Sequence, residues 1–344
     1  MNIVGFDLGK RKSQLCVQTT DGKVLELRVA TERGALGLAL GKIGGKCHVL
    51  IEASTSSEWV ARFLEELGHE VIVADPNFSP MYARSDKKIK TDKRDARALM
   101  EALKLGAYRF AVRRDDDNIH PAACLSVRDG LVRARTAQIN RLKAIVERAG
   151  FRINGKGAAY IVQTTRKLEL PSRLATSVEP ILVAIQTCTA QIKEAEKPLK
   201  AAVSTNAALQ RMDEVFGIGT ITTVAFATTL YNPTRFADAS QVSAYLGLVP
   251  REHSSGEKRS QGGITKVGNR VTRGLLIEAA WCIIKSDNEA VADLRQWALA
   301  IQARRGKQRA AVALARRLSR ILFAMWRDNT PFNPHHRSAA AVAA

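Results

Sequence analysis

The opening stretch Asn2–Asp7 (NIVGFD) is an apolar run that ends in an acid, and it decides the fold of the first third of the chain. Residues 13–20 (SQLCVQTT) and 24–29 (VLELRV) alternate in polarity, as strands do, on either side of a strong turn signal at Asp21 and Gly22. These segments predict an antiparallel meander of three strands.

Strands and helices alternate in the segment that follows. Residues 46–53 (KCHVLIEA) and 69–74 (HEVIVA) predict two more strands. Residues 57–67 (SEWVARFLEEL) and 91–105 (TDKRDARALMEALKL) have helical periodicity, and Gly106 is a typical helix end. A meander followed by parallel crossovers is typical of an RNase H-like mixed sheet, an inference by analogy of fold.

The rest of the chain has mostly helical periodicity. Apolar stripes over residues 131–146 and 178–199 predict an antiparallel helical hairpin or coiled coil; a helical subdomain of one globule is an equal alternative. The expected fold class is α/β plus mainly α. The expected domains are an RNase H-like (RuvC-like) domain at 1–112, a helical connector at 113–205, a mostly helical C-terminal domain at 206–330 and a flexible tail at 331–344.

Composition points to a nucleic-acid partner. The 344 residues carry a formal net charge of +20, which favours a polyanion. No apolar run reaches membrane-spanning length and no secretory signal is visible, so we expect a cytoplasmic, nucleoid-associated protein without a membrane partner. The five cysteines are scattered and none has CxxC spacing, which favours neither a disulfide framework nor a zinc site.

Four acids occupy positions that suit metal-dependent chemistry. Asp7 and Glu52 each end a predicted strand, whereas Asp92 and Asp95 share one face of a predicted helix that Thr91 can cap. Converging carboxylates repel one another unless a cation lies between them, and hard oxygen ligands select Mg²⁺ or Mn²⁺. Singly, each acid is explained by a turn, a cap or a surface charge. Together, in so basic a chain, they favour phosphodiester chemistry on nucleic acid.

The second half of the chain carries three further motifs. Residues 215–219 have the sequence VFGIG, residues 236–250 have FADASQVSAYLGLVP, and residues 253–270 contain HSSG and GGITKVGNR. With the order Asp7, Glu52, Asp92, Asp95, the chain resembles the DEDD, RuvC-like transposases of the IS110 family and its IS1111 branch, to which the pilin-gene invertase Piv is related. The resemblance covers about residues 1–330.

The resemblance implies a two-part active site. The four acids would bind Mg²⁺, and Ser255 would form a covalent phosphoserine link to DNA; Ser254 is the alternative by a shift of one residue. The resemblance also implies guidance by a structured bridge RNA that pairs with donor and target DNA. The assembly would be a homo-oligomer, a dimer or tetramer, in which one protomer's carboxylates complete another's serine site.

Nucleic-acid contacts are expected near these motifs. Gly217 and Gly219 would open a helix whose backbone N–H groups can hold a phosphate, with a tight turn as the alternative. The apolar run that follows, residues 221–230 (ITTVAFATTL), suits either a buried helix or a buried strand. The basic residues expected to contact nucleic acid are Lys88, Lys90, Arg94, Arg251, Lys258, Arg259, Lys266 and Arg270. Further basic clusters lie at 304–307 and 316–317.

Two other functions fit the same residues. One is a metal-dependent structure-specific nuclease, such as a junction resolvase, in which water replaces Ser255 as the nucleophile. The other is a non-catalytic nucleic-acid-binding protein with an inactive RNase H-like fold. A covalent protein–DNA species would distinguish the transposase from both.

Overall fold

The computed structural model describes residues 1–82, 91–113, 115–252 and 261–334. The chain forms two compact units, Met1–Asp115 and Asp116–Ala344. A further boundary near residue 205 and a tail from residue 331 remain predictions.

The first unit is built on a five-stranded sheet. Its strands are β1 (Asn2–Asp7), β2 (Lys12–Gln18), β3 (Val24–Ala30), β4 (Cys47–Glu52) and β5 (Glu70–Ala74). They lie in the order β3-β2-β1-β4-β5, with antiparallel pairing from β3 to β1 and parallel pairing from β1 to β5. The predicted meander and the two later strands are confirmed.

Helices cover both faces of this sheet. They are α1 (Arg33–Ile43), α2 (Ser57–Glu66) and α3 (Asp92–Leu105). Residues such as Val4 and Phe6 of β1 pack in one core with α1 and α2, whereas Leu50 of β4 packs with Leu99 of α3. Successive side chains of a strand point to opposite faces of the sheet. One set of alternate positions therefore packs against α1 and α2, and the other set packs against α3.

A hairpin of two long helices opens the second unit. The helices are α4 (Asp116–Arg148) and α6 (Ser172–Ser204), with the shorter α5 (Ala158–Lys167) between them. Arg128 of α4 donates to Glu196 of α6 at 2.7 Å, and Arg135 is 3.5 Å from Thr189, so the two helices run antiparallel. The antiparallel pairing of the two long helices is confirmed, and α5 completes a core at the tip of the hairpin. Its role as a connector between domains remains a prediction.

Among the described residues, six more α-helices and one small sheet follow. They are α7 (Ala207–Asp213), α8 (Thr220–Leu230), α9 (Ala239–Tyr245), α10 (Arg270–Lys285), α11 (Ala292–Arg305), α12 (Lys307–Asp328) and the strands β6 (Pro250–Glu252) and β7 (Gln261–Ile264). The sequence left α8 open as a helix or a strand; it is a helix, buried at every position from Thr222 onward.

The core of this region lies among α8, α10 and α12 and includes Phe226, Leu276 and Leu314. Leu125 of α4 and Leu199 of α6 belong to the same core, so the base of the long hairpin packs with the C-terminal helices. The predicted fold class, α/β followed by mainly α, is confirmed. Within the described ranges, no helix combines the length and the apolar character needed to cross a membrane.

Candidate active site

Two of the predicted acids lie at neighbouring strand ends. Phe6 of β1 pairs with Ile51 of β4 in parallel register. The next residues, Asp7 and Glu52, therefore lie side by side at the C-terminal ends of strands that are about 4.8 Å apart. Both occupy the alternate positions that face α3, and both side chains are partly exposed.

The other two acids lie in the first turn of α3. Thr91 caps this helix: its side-chain oxygen accepts from the N–H of Arg94 at 3.4 Å. Asp92 is exposed and Asp95 is partly buried. Negative charge in a first helical turn interacts favourably with the helix dipole, so this placement also stabilises α3. The predicted cap is confirmed, as is the end of the helix at Gly106.

A close backbone contact fixes α3 against β1. A Cβ atom at Gly5 would lie 2.0 Å from the carbonyl oxygen of Ala96 and 2.2 Å from the N atom of Met100. The backbone of α3 therefore lies directly on β1, two residues before Asp7. Because Ala96 directly follows Asp95, this contact ties the first turn of α3 to the strand that carries Asp7.

Two ion pairs between β3 and α3 also hold this helix in place. Glu26 accepts from Lys93 at 3.3 Å and from Arg97 at 3.1 Å, two residues that are one helical turn apart on α3. The side chains of Lys93 and Arg97 are largely exposed and that of Glu26 is 30% exposed, so each pair contributes at most about 1 kcal/mol. Their main effect is to orient the first two turns of α3.

The acids are not gathered into one formed metal cluster. Among the residues that the structure describes, no three His, Cys, Asp or Glu side chains lie close enough together to hold a metal ion. The fold places Asp7 and Glu52 at the C-terminal ends of two adjacent strands. It places α3, which begins with Asp92, on the face of the sheet toward which both acids point. The donor atoms are carboxylate oxygens, which suit Mg²⁺ and Mn²⁺.

The strands β6 and β7, which flank the predicted serine loop in the sequence, pair antiparallel in the second unit and are called the β6–β7 hairpin below. Pro250 of β6 pairs with Ile264 of β7, and Glu252 pairs with Gln261. Several predicted residues lie outside the described residues: Lys88, Lys90, Ser254, Ser255, Lys258 and Arg259.

Three predicted basic residues lie at the described ends of this hairpin. Arg251 of β6, Lys266 after β7 and Arg270 at the start of α10 are all exposed. Arg251 donates to the carbonyl of Thr265 at 3.5 Å, a long contact that leaves most of its guanidinium to solvent. Their nucleic-acid contacts remain predictions.

The base of the hairpin is locked by two glycines. Gly247 has φ +67° and Gly268 has φ +79°, a backbone region that favours glycine. A Cβ at Gly247 would lie 2.2 Å from the carbonyl oxygen of Val267, and one at Gly268 would lie 2.0 Å from that of Tyr245. The segments on either side of the hairpin thus cross with no room for a side chain.

A buried arginine closes the same crossing. Arg273 of α10 donates through Nη1 to the carbonyl of Leu246 at 3.1 Å and to that of Val267 at 2.9 Å. Burial lowers the pKa of Arg273, and the nearby charge of Arg270 adds to the effect. A guanidinium has so high a starting pKa that it stays charged at neutral pH. Arg273 therefore joins the segment before β6 to the segment after β7.

The predicted glycine turn begins α8. Gly217 has φ +86°, and a Cβ there would approach Ile283 and Ala279 of α10 at 3.1 and 3.2 Å. Gly219 is the N-cap of α8 and supplies no side-chain cap. Asp213 accepts from Thr220 at 3.4 Å, so a carboxylate already lies at this helix start. Packing explains Gly217, and the phosphate contact of these glycines remains a prediction.

Comparison with known proteins assigns both halves of the chain. A model described as the transposase IS116/IS110/IS902 family matches residues 209–295, and a transposase model for the DEDD type of IS110 matches residues 4–150. A probable family 20 transposase from Pseudomonas aeruginosa is 32% identical over 294 residues, which cover 84% of this chain and 86% of that protein. The chain belongs to the IS110/IS116/IS902 family of transposases.

Two relatives cover nearly the full length of this transposase. The transposase for insertion sequence element IS1111A from Coxiella burnetii is 30% identical, over 94% of this chain and 89% of that protein. The transposase for insertion sequence element IS1328 from Yersinia enterocolitica is 30% identical, over 97% and 99%. The predicted family is confirmed, and with it the general function of an insertion-sequence transposase that acts on DNA.

Two residues near the candidate sites of the transposase were missed in the sequence. Gln14 pairs with Asp7 across the sheet and is only 4% exposed. The sequence feature that could have revealed Gln14 is a polar residue at a strand position that faces the protein interior. Arg273 precedes the buried Leu276 and Ala280 at helical spacing. Its signal is an arginine on the apolar face of a helix, which is seldom found unless the charge is paired or bonded.

Proposed function

We propose that this transposase cuts and joins DNA through a RuvC-like carboxylate site and a serine nucleophile. Asp7, Glu52, Asp92 and Asp95 would hold Mg²⁺, or Mn²⁺, and Ser255 would attack the phosphodiester. The observation that carries the proposal is the placement of Asp7 and Glu52 at adjacent ends of parallel strands, on the face that α3 covers.

The sheet order supports the RNase H-like part of the proposal. An antiparallel meander whose first strand also starts a parallel β1-β4-β5 segment is the arrangement expected of that fold. The acids come from β1, β4 and the first turn of α3, and the contact of Gly5 with α3 limits how far the helix can move from the strand.

In this proposal the four acids hold the metal ion, and Ser255 supplies the nucleophile. A bound magnesium ion supplies positive charge that stabilises the oxygens of the reacting phosphate. The serine hydroxyl loses its proton as its Oγ–phosphorus bond forms. The bond from phosphorus to the leaving sugar oxygen breaks, and that oxygen takes up a proton. The number of phosphoester bonds is unchanged, so the phosphoserine link retains the energy needed for rejoining.

Guidance by RNA and assembly into a homo-oligomer are part of the same proposal. Their support is the family, together with a net charge of +20, which suits a protein that binds more than one polyanion. The kinship to the Piv invertase is proposed on the same basis.

The test is a reaction of the purified full-length protein with its element-flanking RNA, Mg²⁺, and labelled donor and target DNA. The variants are Ser255→Ala, Ser254→Ala, Asp7→Asn and Glu52→Gln. The matched control is Asp21→Asn, which neutralises an exposed acid of the same unit in an ion pair with Lys23. Covalent protein–DNA adduct and recombined product are both measured on denaturing gels.

We expect adduct with the wild type, Ser254→Ala and Asp21→Asn, and at least a hundredfold less with Ser255→Ala, Asp7→Asn and Glu52→Gln. Cleavage that survives Ser255→Ala without any adduct, but is lost in Asp7→Asn, would make the protein a water-using nuclease. Unchanged reaction in Asp7→Asn and Glu52→Gln would overturn the carboxylate site. Equal yields with and without the RNA would overturn guidance.

A further inference from the structure

The outward face of α12 carries a row of arginines. Arg309, Arg316 and Arg320 are seven and four residues apart, which places them within about 40° of one another around the helix axis. Leu314 and Leu318 on the opposite side are buried, and so is Phe323, about 20° from Arg316 around the axis; Arg309 and Arg320 are exposed, and Arg316 is partly buried. We call Arg309, Arg316 and Arg320 the arginine face; Arg304, Arg305 and Lys307 lie at the turn that precedes it.

This part of the chain contains no acid to balance its charge. Residues 294–327 hold nine arginines and lysines and neither Asp nor Glu. Within the described part of the chain, the arginine face and the three cations of the turn make no salt bridge, and the acid whose charge Arg320 feels is Asp238, the N-cap of α9. Arg295 and Arg327, at the two ends of the segment, pair with Asp287 and Asp328.

The first unit has the opposite arrangement. Its exposed cations are commonly paired, for example Lys23 with Asp21, Arg33 with Glu66 and Lys46 with Glu70. Like charges one turn apart on a helix destabilise it by about 0.2–0.5 kcal/mol per pair, so the arginine face is a cost to the isolated helix. The Nε atom of Arg316 is also buried with no hydrogen-bond partner among the described residues.

We propose that the arginine face binds the phosphate backbone of duplex DNA. The side chains between the arginines on this surface are small: Ala313 and Ala324 lie beside the row and do not hold a backbone away. Arg316 and Arg320 are about 6 Å apart along the axis, and Arg309 is about 10 Å before Arg316. Guanidinium groups form paired hydrogen bonds with phosphate oxygens and need no base sequence to do so.

Duplex DNA is favoured over single-stranded RNA because the described residues of this surface offer no free aromatic ring for stacking. Binding of unpaired bases depends on exposed aromatic rings. The aromatic side chain beside this surface is Trp297 of α11, and the guanidinium of Arg317 lies 4.8 Å from its ring centre. The inference rests on the family's action on DNA and not on the proposed carboxylate or serine chemistry.

The test compares two triple variants of the full-length protein with the same change in charge. One is Arg309→Gln, Arg316→Gln, Arg320→Gln. The control is Lys23→Gln, Arg33→Gln, Lys46→Gln, three exposed but paired cations of the first unit. Binding to a random-sequence DNA duplex is measured by fluorescence anisotropy over a series of salt concentrations, in EDTA so that the carboxylate site plays no part. Circular dichroism confirms that both variants fold.

We expect the arginine-face triple to weaken duplex binding at least tenfold at 100 mM salt and to reduce the slope of log K against log salt by about 2.7, or about 0.9 per lost phosphate contact. The control triple should change Kd less than twofold. A slope and Kd that match the control would overturn the proposal. So would a loss confined to a single-stranded RNA of the same length with duplex binding intact.

Discussion

The backbone of α3 at Ala96 touches the backbone of β1 at Gly5, with no space for even one methyl group between them. The contact lies two residues from Asp7 and one residue from Asp95. The distance between the strand and the helix that carry the candidate carboxylates is therefore set by a glycine. Helix and strand approach this closely only where a Cβ is missing.

A methyl group at Gly5 should force α3 away from the sheet. Overpacking costs about 1–3 kcal/mol when side chains can adjust, and here the nearest atoms are backbone, so we expect Gly5→Ala to lose about 3 kcal/mol or more. The control is Gly41→Ala in α1, where nothing lies within 4 Å of the added Cβ. That change removes a helix glycine and should be neutral or stabilising by up to about 1 kcal/mol. Urea unfolding followed by circular dichroism measures both, and equal stabilities would contradict the contact.

The crossing beneath the β6–β7 hairpin should be as sensitive. Gly268→Ala meets the carbonyl of Tyr245 at 2.0 Å and also places alanine at φ +79°. We expect hydrogen exchange to rise in residues 245–250 and 264–270. The control is Gly263→Ala in β7, which meets nothing within 4 Å and has no positive φ. If Gly268→Ala exchanges no faster than Gly263→Ala, the crossing does not hold the hairpin.

The first unit was predictable from sequence because its periods are clear. A meander, two buried strands and a capped helix each leave a local pattern, and Asp7, Glu52, Asp92 and Asp95 could be placed on it. The close approach of α3 to Gly5 leaves no local pattern in the sequence, because the role of a glycine within a strand is apparent only when its packing partner is known. Whether four carboxylates meet depends on side-chain angles that no periodicity encodes.

The second unit was less predictable for the same kind of reason. β6 and β7 are three and four residues long and contain two glycines and a proline, so they carry no strand pattern. The segments that flank them meet through contacts of Gly247, Gly268 and Arg273, none of which lies in either strand. The fold of α8 could not be decided because it is buried all round, and an amphipathic period is then absent.

Acid should weaken the first unit through Glu58. Burial alone would raise the pKa of this carboxyl, but hydrogen bonds from Arg113 and Arg62 outweigh burial, so its pKa is below the ordinary value of 4.5. A depressed carboxyl pKa contributes stability that is present above about pH 4.5 and is lost as the pH falls through the folded-state pKa. We expect Glu58→Gln to be about 1 kcal/mol less stable than wild type at pH 7, and we expect this difference in stability to be smaller at pH 3. A difference that does not shrink on acidification would contradict the ion pairs, as measured by urea unfolding at both pH values.

Arg273 should be the most costly arginine of α10 to replace. Its guanidinium bonds two backbone carbonyls in a site that is 8% exposed, and charged hydrogen bonds of this kind contribute about 1.5–3 kcal/mol each. Arg273→Met leaves both carbonyls without this donor, so we expect a loss of about 3 kcal/mol or more, whereas Arg273→Lys can keep one bond and should lose about half as much. Arg270→Met, at the exposed start of the same helix, should stay within about 0.5 kcal/mol of wild type. Urea unfolding and hydrogen exchange at residues 264–270 measure the series. If Arg273→Met is as stable as Arg270→Met, the two hydrogen bonds from Arg273 to backbone carbonyls do not stabilise the base of the hairpin. The close contacts at Gly247 and Gly268 must then hold it alone.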